Sequence, residues 1–198
     1  MVRTRAAPVP PASATPKARY SLTMTAPERS GSTTTLGAAE RQRLLTMSAD
    51  DLLRQCRVDV FRGTGPGGQK RNRTSSAVRL THLQSGVTAT CDETRSQHSN
   101  REIALRKLRC ELALRCRCVP APPYNGPWAP GARAAIYPAW LAAVLDQLDQ
   151  HQFRLAEAAA ALGVSTGRLV RDLASDPALW QTVNAGRTRC GHGVLHHP

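Results

Sequence analysis

Apolar and polar positions change rhythm several times along this chain, and each change marks an element. Residues 1–38 show no rhythm at all. They are rich in Ala, Pro, Ser and Thr with scattered Arg, a composition that buries too little apolar surface to offset its ordering entropy, so a disordered basic tail is expected. A helix is predicted from Ala39 to Leu53, with Ser48 as a cap ahead of Ala49-Asp50-Asp51. Cys56 to Phe61 alternates, Val58 and Val60 against Arg57 and Asp59, and reads as a strand. Ala77 to Leu83 alternates again. Gln84-Ser85-Gly86 is a turn, and Val87 to Cys91 returns as the second arm of a hairpin. Asp92 to Ser99 is polar loop. From Asn100 to Cys118 the period becomes helical, with Leu105, Leu108, Leu112 and Cys116 on one face.

Residues 119–137 hold five prolines and read as a linker. Helical patterns follow over Pro138–Gln152, with proline in the first turn, and over Arg154–Leu162, closed by Gly163. Ser165 caps a segment through Ala174, and Pro177 opens a last one through Asn184. Such short helices need mutual packing to persist. The expected fold class is α+β: a small antiparallel sheet with a protruding Gly-Gly-Gln (GGQ) loop, packed by a long helix, plus a small C-terminal all-α helical module. The predicted layout is a tail over 1–38, a sheet-and-helix domain over 39–118, a linker over 119–137, a helical module over 138–186 and a flexible tail over 187–198.

Charge sharpens this picture. The 198 residues carry a formal net charge of +13. Residues 53–118 hold 14 Lys and Arg against 5 Asp and Glu, whereas residues 119–198 hold 6 against 5. The basic field therefore sits on the sheet-and-helix region and points to a polyanionic partner. No apolar run has the length to cross a bilayer, and no apolar stretch backs the N-terminal basic residues as in a secretory signal. A cytoplasmic setting is expected, with an organelle matrix as the alternative that an Arg- and Ser-rich N-terminus leaves open. Six cysteines (Cys56, Cys91, Cys110, Cys116, Cys118, Cys190) follow no secreted framework, so reduced thiols are expected. Cys110, Cys116 and Cys118 crowd one helix end, and Cys190 lies near His192, His196 and His197. Their spacing matches no standard zinc set, and no metal or organic cofactor is predicted.

The chemistry concentrates in Gly65-Pro66-Gly67-Gly68-Gln69, with Lys70, Arg71 and Arg73 directly behind. A Gly-Gly pair alone is an ordinary turn signal. Here the adjoining proline stiffens the entry, and the paired glycines let another molecule approach the backbone closely. Such a tip presents main-chain N–H groups and one amide side chain, the donors needed where an oxyanion develops and a water must be placed. None of Gly67, Gly68 or Gln69 is a general base near neutral pH, so positioning and electrostatic stabilisation are the expected contributions.

The ordered set Phe61-Arg-Gly-Thr-Gly-Pro-Gly-Gly-Gln-Lys-Arg-Asn-Arg-Thr-Ser-Ser-Ala-Val-Arg-Leu-Thr-His-Leu83, then Ser85-Gly86-Val87, Arg95-Ser96-Gln97 and Asn100-Arg101, resembles the catalytic domain of class I peptide chain release factors and their ribosome-rescuing relatives. The likeness covers about residues 50 to 115. It implies that Gly67, Gly68 and Gln69 enter the peptidyl transferase centre and that Gln69 is tied to hydrolysis of the peptidyl-tRNA ester. Lys70 and Arg73 replace the family's usual His and Lys. With Arg71 they read as phosphate contacts, and Arg79, Arg95 and Arg101 as further RNA contacts or as local scaffold partners. Gln97 and Asn100 read as caps of the following helix.

Full release factors also carry a stop-codon-reading domain, for which none of these segments is long enough. The basic tail of the best-known rescue type is also not matched at Thr188 to Pro198. The resulting expectation is a codon-independent peptidyl-tRNA ester hydrolase, monomeric, with the ribosomal large subunit, ribosomal RNA and peptidyl-tRNA as partners. Two alternatives come from other classes: a non-catalytic ribosome- or RNA-binding factor, and a DNA-binding regulator. The latter rests on Ala158 to Arg171, which resembles a helix-turn-helix with Gly163 in the turn, and Arg168 and Arg171 on the second helix. Its near-neutral charge favours a structural or docking module, with Leu162, Val164, Leu169, Val170 and Leu173 as core.

Overall fold

The computed structural model describes residues 36–62 and 75–198. The tail before residue 36 and the segment 63–74, which contains Gly67, Gly68, Gln69, Lys70, Arg71 and Arg73, lie outside the described residues. The described chain holds a three-stranded antiparallel sheet and seven helices, an α+β arrangement.

Where one N-terminal helix was predicted there are two, α1 (Ala38–Thr46) and α2 (Ala49–Arg54). Ser48 is the reason. Its hydroxyl accepts from the Asp51 N–H at 3.1 Å, and a residue in that capping conformation cannot also continue a helix. Strand β1 (Cys56–Phe61) follows and pairs with β2 (Ala77–His82), which pairs with β3 (Thr88–Cys91), in the order β1-β2-β3. Gly86 closes the β2–β3 turn at φ +67°, a backbone region open to glycine without a side-chain penalty.

One face of the sheet carries Val78, Leu80, Ala89 and Cys91, all buried under α3 (Gln97–Arg115), whose Ala104, Leu105, Leu108 and Leu112 meet them. Each fully buried leucine contributes about 1.5–3 kcal/mol. Because α3 lies over β2 and β3, the edge strand β1 is only partly covered. Val58 and Val60, opposite Leu80 and Val78, stay 39% and 41% exposed. Helix α3 starts three residues ahead of its predicted position, because the Ser96 hydroxyl accepts from the Ser99 N–H. Gln97, His98 and Ser99 carry no apolar periodicity, so the first turn is invisible to the pattern.

The other side of α3 packs against α4 (Tyr137–Gln150), the most buried of the seven described helices. Trp140, Leu141, Val144, Leu145 and Leu148 join the same continuous core as the sheet residues. Residues 119–136 run between the two helices and are tied down by side chains. The Ala121 N–H donates to Gln150, and the Trp128 indole donates to Asp172 at 2.6 Å. Helices α5 (Leu155–Ala161), α6 (Thr166–Ala174) and α7 (Pro177–Arg189) complete the fold, with Ser165 and Asp176 as the side-chain caps of α6 and α7.

Helix α7 runs five residues beyond its predicted end, through Gly186, a residue that ordinarily weakens a helix. The tertiary structure requires glycine there. A Cβ at Gly186 would penetrate the ring of Phe153, which is 1% exposed. Phe153 and Gln152 take left-handed backbone conformations, and the Phe153 carbonyl accepts from Arg187 at 3.0 Å. Gly186→Ala is therefore expected to destabilise. Overpacking costs about 1–3 kcal/mol, more than the ~1 kcal/mol gained in helix propensity. Thermal unfolding of the variant should show a lower Tm, and an unchanged or raised Tm would show that the ring can move aside.

Candidate functional site

The β1–β2 ladder ends at the pair Phe61 and Ala77, so residues 62–76 form an excursion that leaves and re-enters the sheet at one point. Arg79 stacks over the Phe61 ring, 5.1 Å from its centre, on the sheet face opposite α3. Its guanidinium is exposed there. On the same face Arg57 pairs with Asp59 at 3.2 Å. Thr81, Thr88 and Thr90 fill the rest with hydroxyls. Among the described residues this face is mostly polar and half-buried, with the exposed Arg79 at the end nearest the excursion.

The cations in and beside α3 divide into two groups. Arg109 donates to the Met47 carbonyl at 2.7 Å, and Arg117 donates to the Ala113 and Leu114 carbonyls at the helix end. Burial pulls both guanidinium pKa values down from their usual level. Lys107 pairs with Glu93 at 2.7 Å and Arg115 with Glu111 at 2.9 Å. These four are scaffold. Arg95 and Arg106 are exposed and have no hydrogen bond or ion pair among the described residues. Arg101 is half-buried, and its enclosed Nε likewise lacks a partner. Arg79, Arg95 and Arg101 are thus the sequence-derived RNA-contact candidates that lie within the described residues, and all three belong to the segment around the excursion.

Asn100 is not a helix cap. Ser96 holds that role, and Asn100 sits four residues further on, fully buried. Its amide nitrogen donates to the Ser76 carbonyl and to the Thr94 carbonyl, each at 2.8 Å. Its oxygen accepts from the Thr94 N–H at 2.8 Å and lies 2.9 Å from the Thr94 hydroxyl. The Cys91 thiol approaches the same oxygen at 3.6 Å. One side chain therefore joins the return arm of the excursion, the β3–α3 connection and the first turns of α3, with both donors and the acceptor satisfied. A signal for this was present in the sequence. Asn100, Ala104 and Leu108 share one helical stripe, and an amide on a buried stripe must have partners.

Among the described residues, no group of three or more His, Cys, Asp or Glu side chains is placed to hold a metal ion. The cysteines differ in exposure. Burial pushes the Cys110 thiol up to about 12 and the Cys56 thiol up to about 11. Cys91, Cys116 and Cys118 are buried, and Cys190 is exposed at the end of α7. The thiolate is the reactive form. In the folded protein near pH 8, Cys190 is expected to label with a thiol reagent in minutes, and the others only on unfolding. Several equally fast thiols would contradict this packing.

Helices α5 and α6 are joined through Gly163 at φ +69°, the geometry of a turn between two helices. Leu169 and Leu173 are fully buried, and Leu162, Val164 and Val170 are partly buried against the core. Arg168 pairs with Asp172 at 3.7 Å, and Arg171 is exposed.

Residues 50–117 match the RF-1 domain. The matched region encloses the whole excursion, its paired strands and α3, and it is similar to the RF-1 domain of peptide chain release factors. Over 56 residues the chain is 62% identical to peptide chain release factor 1 of Kineococcus radiotolerans, covering 28% of this chain and 16% of that protein. Over 56 residues it is 54% identical to peptide chain release factor 2 of Variovorax paradoxus, covering 28% and 15%. A Thermus thermophilus peptide chain release factor is 53% identical over 58 residues, covering 29% and 15%. The match spans about one sixth of the length of these relatives. Among the described residues, no helix is long and apolar enough to cross a membrane.

Proposed function

We propose that this chain is a release-factor-like hydrolase that cleaves the peptidyl-tRNA ester on the ribosome, acting without a stop codon to free stalled ribosomes. The observation that carries the reading is the RF-1 domain match across Gly67, Gly68 and Gln69, in a segment whose two ends are pinned together by the β1–β2 ladder. Such a segment suits an RNA active site: Gly67 and Gly68 carry no side chain, and the Gln69 N–H is the donor offered where charge develops as water attacks the ester. The Gln69 amide orients that water. The leaving group is the tRNA ribose oxygen, and the proton balance is met within the RNA site. Lys70, Arg71 and Arg73 grip phosphates beside the loop, with Arg79, Arg95 and Arg101 behind them. The partners are the large subunit's peptidyl transferase centre, ribosomal RNA and peptidyl-tRNA, met by a monomer in the cytoplasm.

The deciding experiment supplies the protein to ribosomes holding peptidyl-tRNA on an mRNA that ends without a stop codon. Peptide release at a rate independent of any stop codon supports the reading. Ribosome binding without release would make the chain a non-catalytic factor that retains the fold.

A further inference from the structure

We propose that Asn100 is a positioning residue for peptide release, acting by fixing the return arm of the 62–76 segment against α3; the proposal rests on the hydrolase reading above. Three elements that carry the site meet at this one amide. Ser76 is the residue that brings the chain back into β2 just before Ala77, the last paired residue of the ladder. Thr94 precedes the exposed Arg95, and Asn100 itself precedes Arg101. On the outgoing arm the corresponding contact is the stacking of Arg79 on Phe61. Among the described residues, the Asn100–Ser76 bond is the side-chain tie that holds the return arm to the helix.

Helix stability alone does not call for an amide here. Ser96 already caps α3, and the position belongs to the stripe continued by Ala104 and Leu108, where an apolar residue packs without needing five partners. The amide is used on both sides. Two donors meet two carbonyls, and the oxygen meets an N–H, so the side chain has one orientation and holds Ser76 at one distance from α3. A loop that must place a water and an N–H at an ester tolerates little error in its base. A displacement of about 1 Å is enough to cost on the order of a hundredfold in rate.

Asn100→Asp isolates the effect. It keeps the oxygen that accepts from Thr94 but sets a carboxylate oxygen against the Ser76 and Thr94 carbonyls, so the tie to the return arm is lost. Asn100→Ser, too short to reach Ser76, serves as the second variant should the charged one fail to fold. Release is measured on stalled ribosomes over a range of full-length protein, with Gly186→Ala as a destabilised control remote from the site. The expected result is a fall of about ten- to a hundredfold in the saturating release rate, with the half-saturating concentration changed less than about threefold, while Gly186→Ala keeps the full rate per folded molecule. A full saturating rate in either folded Asn100 variant overturns the inference. A loss no larger than the control's at matched folded fraction also overturns it. Absence of release by the unaltered protein overturns the hydrolase reading, and this inference with it.

Discussion

Gln69→Ala is expected to lower peptide release by two to three orders of magnitude while leaving ribosome affinity nearly unchanged. The loss is electrostatic and geometric in origin. Removing one preorganised group that acts on the developing oxyanion or the attacking water costs about 10²–10³ in rate. Alanine retains the backbone N–H of residue 69 and removes only the amide that places the water. The basic residues that bind phosphate, Lys70, Arg71 and Arg73, remain, so binding persists. Gly68→Ala is expected to match or exceed the loss, because an added Cβ thickens the tip where backbone must pass close to RNA. Single-turnover release on stalled ribosomes, beside a binding measurement on the same ribosomes, separates the two quantities. Release by Gln69→Ala at the unaltered rate would remove the amide from the mechanism.

The second large effect concerns stability. Arg41 in α1 and Asp146 in α4 form a bidentate ion pair, 1% and 0% exposed. The same guanidinium donates to the Cys116 carbonyl at 3.0 Å, and the same carboxylate accepts from the Cys118 N–H at 3.0 Å. Four stretches of chain that are far apart in sequence meet there: α1, the end of α3, the start of the proline-rich stretch, and α4. Asp146→Ala leaves a guanidinium buried without a counter-charge, which costs about 3–5 kcal/mol. For a domain of this size that is a fall in Tm on the order of 10 °C. The double variant Arg41→Met, Asp146→Leu should regain most of the loss, since a buried pair and a well-packed apolar pair are often close in energy. A Tm unchanged by Asp146→Ala would mean that water reaches Arg41, contrary to its burial.

Neither member of this pair stood out in the sequence. Arg41 is one of many arginines, and Asp146 interrupts an apolar helix pattern as solvent-facing acids commonly do. Asn100 differs in that its place on the Ala104–Leu108 stripe already signalled burial. Its type and place fitted a helix cap, and only the approach of Ser76, 24 residues earlier, gave it a different task. Gly186 was ambiguous for the same reason, because glycine inside a helix is a weakness until Phe153 is seen filling the space.

What the sequence determined by itself was local and chemical. Alternation marked β1 and β2, Gly86 the turn, and Ser48, Ser165 and Pro177 the helix starts, while the run from Gly65 to Arg73 offered the candidate chemistry. These signals depend on a residue and its near neighbours, through backbone preference, capping and period. The tertiary structure alone decided which buried polar groups find partners, where α3 leaves β1 uncovered, and that α3 and α4 share one core. Those outcomes depend on distances between residues far apart in the chain. A buried amide or ion pair is stable only when its partner arrives at hydrogen-bond distance, and that distance is set by packing rather than by spacing along the chain.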